Sequence, residues 1–139
     1  MLGDMDTIDF GALLRQSRTI AVVGCSSDPG KTAHSVPRQM QACGFRIIPV
    51  NPHAEVILGE RVYRTLSEVP WPVDLVNLFR PSEQTPPFVE EAAAIGAPAV
   101  WLQLGIANPE SRRIAAAAGL VYVEDRCIAV ERAKAQVTL

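Results

Sequence analysis

The chain has 139 residues, 48% of them apolar and 20% charged, which fits one globular domain with a real core and excludes a disordered chain. A formal net charge of −2 argues against a nucleic-acid partner, and no apolar run approaches the length of a membrane span. The N-terminus lacks the basic-then-apolar pattern of a secretion signal, and Cys25, Cys43 and Cys127 have no zinc-type spacing, so reduced thiols in a cytoplasm are expected.

Residues 1–17 predict a short N-terminal helix on the domain's edge, with Phe10, Leu13 and Leu14 on one face. Thr19 to Val23 then reads as a buried strand. Gly24 to Thr32 follows as a loop of glycine, serine, aspartate and proline, and Ser35-Val36-Pro37 is expected to open a helix. Pro37 is read as a first-turn residue, where a missing N–H costs nothing, and Gly44 as the stop. The second strand is expected over Phe45–Val50, ending at Asn51-Pro52-His53. A small excursion around Gly59 and a single turn near Leu66–Val69 precede a third strand, Val73–Phe79, closed by Arg80-Pro81. Helix is expected from Pro86 to Ile95 with Glu90 and Glu91 outward, then a strand at Ala99–Leu102 ending at Gln103-Leu104-Gly105. Asn108 caps a further helix with Pro109 at its first position, and Leu120–Val123 is a fifth strand ending at Glu124-Asp125-Arg126-Cys127. The tail to Leu139 is expected to be helical and then to fray.

Five strands alternating with helices, most of them continuous apolar runs, predict an α/β fold: a Rossmann-like, doubly wound parallel sheet in three layers, one domain over residues 1–139. In such a sheet ligands lie beyond the carboxyl ends of the strands, where strand order reverses. The strand–glycine–helix arrangement around Gly24 suits phosphate, because helix-start amides are unpaired and the helix dipole favours an anion. Lys31 and Arg80 on one rim suit a ligand carrying several phosphates. A nucleotide-triphosphate loop is disfavoured, since Gly24 and Gly30 are separated by one residue too many. NAD is disfavoured as well: Ser26 and Pro29 stand where glycines should, and Asn51 where an acidic residue should meet the ribose. NADP remains open, with Lys31, Arg46 or His53 available to an extra phosphate.

The ordered set Ala21-Val22-Val23-Gly24-x-Ser26-x-x-Pro29, Pro49-Val50-Asn51-Pro52, Val73–Val76, Phe79-Arg80, Trp101–Gly105 and Asp125-Arg126-Cys127 resembles the small stand-alone CoA-binding proteins. Their domain is similar to the N-terminal domain of the succinyl-CoA synthetase α subunit. The resemblance implies coenzyme A held at the strand ends, with the loop Gly24, Ser26, Ser27, Asp28 and Lys31 around the pyrophosphate. His34 and Ser35 would flank the helix start, and Asn51, Pro52, Phe79 and Arg80 would border the nucleotide. The synthetases' phosphorylated histidine sits on a second domain for which 139 residues leave no room, so neither His34 nor His53 takes that role.

Because CoA has a 3′-phosphate and no 2′-phosphate, a neutral Asn51 suits it better than the carboxylate NAD favours. The pantetheine arm is expected to run past Gln103 and Gly105 towards Cys127. A thiol at a helix start beside Arg126 is activated by both, so Cys127 is a candidate capture point for CoA; a buried, apolar thiol is the alternative. The expected function is non-enzymatic binding of CoA or an acyl-CoA, set against an NADP-linked reductase or a CoA-dependent transferase using the same site.

Overall fold

The runs rich in valine, isoleucine and leucine become strands, and Gly44, Gly96 and Gly119 follow the ends of three of the helices. The structure, a computed structural model, describes residues 5–139. A 3-10 turn at Met5–Thr7 leads into α1 (Phe10–Arg15), capped by Asp9, whose carboxylate accepts the Ala12 amide at 3.0 Å. Then come β1 (Thr19–Val23), α2 (Thr32–Ala42), β2 (Arg46–Val50), a hairpin of β3 (Val56–Ile57) and β4 (Glu60–Arg61), β5 (Leu75–Leu78) and α3 (Thr85–Ala94). The chain closes with β6 (Ala99–Leu102), α4 (Pro109–Ala117), β7 (Val121–Val123) and α5 (Ile128–Ala135).

The five long strands form one parallel sheet in the order β2-β1-β5-β6-β7. Side chains alternate between its faces, so each face builds its own core. Ile20, Val22, Ile47, Leu75 and Trp101 pack with Leu14 of α1, Met40 of α2 and Ile128 of α5. Ala21, Val23, Val76, Leu78 and Val100 pack with Val89 and Ala92 of α3 and Ala115 of α4. That is the predicted three-layer, doubly wound fold. From β1 the chain crosses one way to β2 and later returns to the other side of β1 as β5. The crossovers diverge there, and a crevice opens between the carboxyl ends of β1 and β5.

Several local expectations change. The helix after the first strand begins at Thr32, three residues before the predicted start, so Pro37 lies beyond the first turn. The tail does not fray: Val137 is buried and the Leu139 amide donates to the Cys43 carbonyl at 2.8 Å. Glu91 does not simply face outward, since its carboxylate takes the amide and hydroxyl of Ser67, fastening the excursion to α3. Pro49 sits in an edge strand, where a missing N–H is tolerated, and its carbonyl accepts the Tyr63 amide at 3.0 Å. Among the described residues no helix is long and apolar enough to cross a membrane.

Candidate functional site

The loop after β1 is held by its own polar groups. Gly24, with φ of +83°, turns the chain out of the strand, and its amide donates to the Val50 carbonyl at 3.0 Å. A Cβ on Gly24 would stand 2.5 Å from the Phe79 carbonyl oxygen, so glycine is demanded here by the protein's own neighbouring turn. The Ser26 hydroxyl accepts the Asp28 amide, the Asp28 carboxylate accepts the Gly30 amide, and His34 Nδ1 donates to the Ser26 carbonyl at 2.7 Å. Ser27 and Asp28 are exposed, and Ser35 is half-buried in the first turns of α2.

The displaced Pro37 has a consequence for this loop. Proline lacks the N–H that would bond the carbonyl four residues back, and its ring pushes that carbonyl aside. The carbonyl is that of Ala33, and the Ser26 amide donates to it at 3.0 Å. The loop is thus tied to the helix through the hydrogen bond that the helix itself cannot make.

Two hollows open along the crevice, with Arg80 lining both. The larger, about 400 Å³, is lined by Lys31, Thr32, Ala33, Phe79, Arg80, Pro81, Gln103, Leu104 and Ile106. The smaller, about 190 Å³, is lined by Val23, Gly24, Val50, Asn51, Pro52, Arg64, Arg80 and Phe88. Lys31 and Arg80, paired on the sequence alone, therefore meet at one cleft. Thr32 and Ala33 lie in the first turn of α2, whose amides have no intrahelical acceptor. Gln84 accepts a hydrogen bond from the Arg80 guanidinium at 2.7 Å and orients it.

Other predicted residues are present in a different capacity. The Asn51 side chain is fully engaged with backbone, donating to the Cys25 carbonyl at 2.8 Å and accepting the amides of His53 and Ala54. It joins the loops after β1 and β2, while Pro52 beside it lines the smaller hollow. Gln103 is buried at the floor of the larger one, its oxygen facing the amides of Asn77 and Ile128. The Gly105 amide donates to the Asp125 carboxylate at 2.7 Å, closing the turn after β6 onto the turn after β7. Cys127 caps α5 and packs against the core on the face of α1, α2 and α5; it lines neither hollow. Cys25 is wholly buried, and burial pushes its thiol pKa up to about 12.

Arg64, Phe88 and Ile106 were not foreseen. Arg64 arrives from the excursion rather than from a strand end, and donates to the carbonyls of Asn51 and Ala54 while pairing with Glu55 at 3.0 Å. Phe88 comes from α3, for which strand-end reasoning gives no signal. Ile106 lies one residue past the turn that was singled out, so a wider window would have found it.

This is a Rossmann-like α/β domain, with Lys31 and Arg80 brought together at the point where strand order reverses. Residues 18–133 match the CoA binding domain family, and the chain belongs to it. It is 41% identical over 121 residues to the uncharacterized protein YneT of Bacillus subtilis (strain 168), covering 87% of this chain and 90% of that one. A hypothetical protein from Pyrococcus horikoshii OT3 superposes with a TM-score of 0.91 at 32% identity, covering 95% of each chain. The chain is also 34% identical over 67 residues to the acetate–CoA ligase (ADP-forming) II subunit alpha of Pyrococcus furiosus, over 48% of this chain but only 15% of that subunit.

Proposed function

We propose that the chain binds coenzyme A or an acyl-CoA non-covalently in the crevice between β1 and β5, as a binding module rather than a catalyst. The observation that carries this reading is the meeting of Lys31, Arg80 and the first turn of α2 at one cleft of about 400 Å³, within the usual range for small-molecule sites. The phosphates lie against those cations and amides, where a charge-assisted contact is strongest. The adenosine end turns towards Asn51-Pro52 and the smaller hollow, and the pantetheine arm runs along Gln103, Leu104 and Ile106. Ser26, His34 and Asn51 act by fixing the loop, since each holds a backbone group of it. Leu104 is 65% exposed beside the half-buried Ile106, an apolar wall suited to a pantetheine arm or a short acyl chain.

Calorimetric titration with CoA, dephospho-CoA, NADP and ATP tests the reading. CoA binds, and dephospho-CoA binds about tenfold or more weakly, because a charge-assisted contact to the 3′-phosphate is lost. Tighter binding of NADP than of CoA overturns the assignment. Acetyl-CoA recovered intact after prolonged incubation supports a holding role, whereas its hydrolysis or transfer would point to an enzyme.

A further inference from the structure

A third hollow lies off the outer edge of the sheet and shares no residue with the other two. It measures about 190 Å³ and is lined by Arg46, Ile48, Glu60, Arg61, Tyr63 and Trp71. These residues come from β2, from β4 and the residues after it, and from the loop before β5, and they converge only in the fold. The Arg46 guanidinium stands over the Trp71 ring, 4.5 Å from its centroid, and that of Arg61 over the Tyr63 ring at 5.3 Å. A guanidinium over an aromatic ring is attracted by the ring's face and still has N–H groups to offer an anion. Among the described residues neither guanidinium has an ion-pair partner, although Glu60 lines the same hollow. Arg64 shows the contrary arrangement a few residues away, its donors taken by two carbonyls and Glu55.

We propose that this hollow is a second anion site, in which Arg46 and Arg61 together take a phosphate group of a small molecule. Two guanidiniums held against aromatic faces match a group that offers several oxygens and about two negative charges. Glu60 offsets one positive charge, so net charge alone does not select the ligand; what favours phosphate is a set of oxygens that can engage both guanidiniums at once. Insertion of a peptide strand along β2 is the poorer occupant. Pro49 offers no N–H to such a strand, and Tyr63 already bonds the end of that edge.

The two tryptophans make the test direct. Trp71 is 47% exposed at the hollow, whereas Trp101 is buried and donates through Nε1 to the Arg126 carbonyl at 2.8 Å. Inorganic phosphate, and acetate in parallel, are titrated into nitrogen-15-labelled protein while both indole signals are followed. Phosphate is expected to move the Trp71 signal in a saturable way and more tightly than acetate, leaving the Trp101 signal in place. Arg46→Gln and Arg61→Gln are each expected to weaken phosphate about tenfold, and the double variant little more than either alone, because one ligand bridges both. The unmoved Trp101 signal reports that each variant is folded, and Arg46→Lys, which keeps the charge without the fork, serves if Arg46→Gln is not. A Trp71 signal indifferent to phosphate overturns the proposal, as do additive losses in the double variant or equal affinity for acetate. None of these outcomes depends on whether CoA binds in the crevice.

Discussion

The turns after β1 and after β7 use the same device to opposite effect. In each, an aspartate follows the strand and its carboxylate accepts a loop amide. Asp28 takes Gly30, within its own loop, at 2.9 Å; Asp125 takes Gly105, from the turn after β6, at 2.7 Å. The local bond shapes a loop that stands beside an open cleft. The bond between turns joins two strand ends, reinforced by the Asp125 amide on the Ile106 carbonyl and the Trp101 indole on Arg126. Strand ends are equivalent in sequence but not in the sheet. Where the crossovers diverge, between β1 and β5, a crevice opens beyond the carboxyl ends, and there Lys31 and Arg80 meet.

Two glycines test that difference most strongly. Gly24 and Gly105 both have positive φ, +83° and +85°, yet a Cβ on Gly24 meets the Phe79 carbonyl at 2.5 Å while one on Gly105 meets nothing within 4 Å. Gly24→Ala therefore carries backbone strain plus a displaced turn, a loss of roughly 3 kcal/mol, and Gly105→Ala the strain alone, about 1 kcal/mol. Urea midpoints measure both. Equal losses would mean that the approach of Gly24 to Phe79 costs nothing to relieve.

The aspartates sharpen the contrast. Asp125→Ala loses a hydrogen bond between turns and places alanine at a φ of 55°, so about 2 kcal/mol of stability goes while CoA affinity holds. Asp28→Ala loosens a local turn, so stability changes by less than about 1 kcal/mol while CoA affinity falls severalfold. Parallel thermal melts and calorimetry should show the two losses exchanged between the variants. If both variants lose stability alone, the loop after β1 has no special part in binding.

The thiol that follows Gly24 adds a pH dependence to the region after β1. Cys25 keeps its proton in the fold up to about pH 12, whereas the unfolded thiol ionises near its ordinary 9.0. The unfolded state therefore binds fewer protons between those values. The stability that the buried thiol contributes is intact below pH 9 and declines as pH rises, at most about 1.4 kcal/mol per unit. The Tyr122 hydroxyl, buried and bonded to Glu124, is also raised and adds to the decline at higher pH. Cys25→Ala should flatten the alkaline limb of a urea-midpoint series, and an unchanged limb would show that burial of this thiol adds nothing to the decline.

Much of this was legible before the structure. Short apolar runs bounded by turn residues, such as Ala99–Leu102, read as strands covered on both faces, and Asn108-Pro109 marks a helix start to the residue. Lys31 and Arg80 were paired because parallel strands end on one rim. What sequence could not provide was strand order in space, which decides that Gln103 lines the cleft and Cys127 does not. Nor could it foresee Arg64, whose place depends on how the β3–β4 excursion folds back against Asn51. The reason for Gly24 was hidden likewise, because Phe79 is 55 residues away in the chain and adjacent only across the β1–β5 pairing.

Pro37 gives the smallest expected effect and the most local one. Its position inside α2 leaves the Ala33 carbonyl to the Ser26 amide, a neutral hydrogen bond between helix and loop. Pro37→Ala supplies a competing N–H from within the helix, since residue 37 then donates to residue 33 in the ordinary pattern. Helix propensity gains, and the buried ring's contacts are lost, so global stability moves little. The Ser26 amide bears the change. With the bond's net worth near 1 kcal/mol, its hydrogen exchange should quicken about two- to tenfold, and CoA affinity should fall by no more than that. The Val22 and Val23 amides, inside the sheet, serve as internal references. Unchanged exchange at Ser26 would show that the loop after β1 keeps its shape without the helix, and that proline at this position does nothing for it.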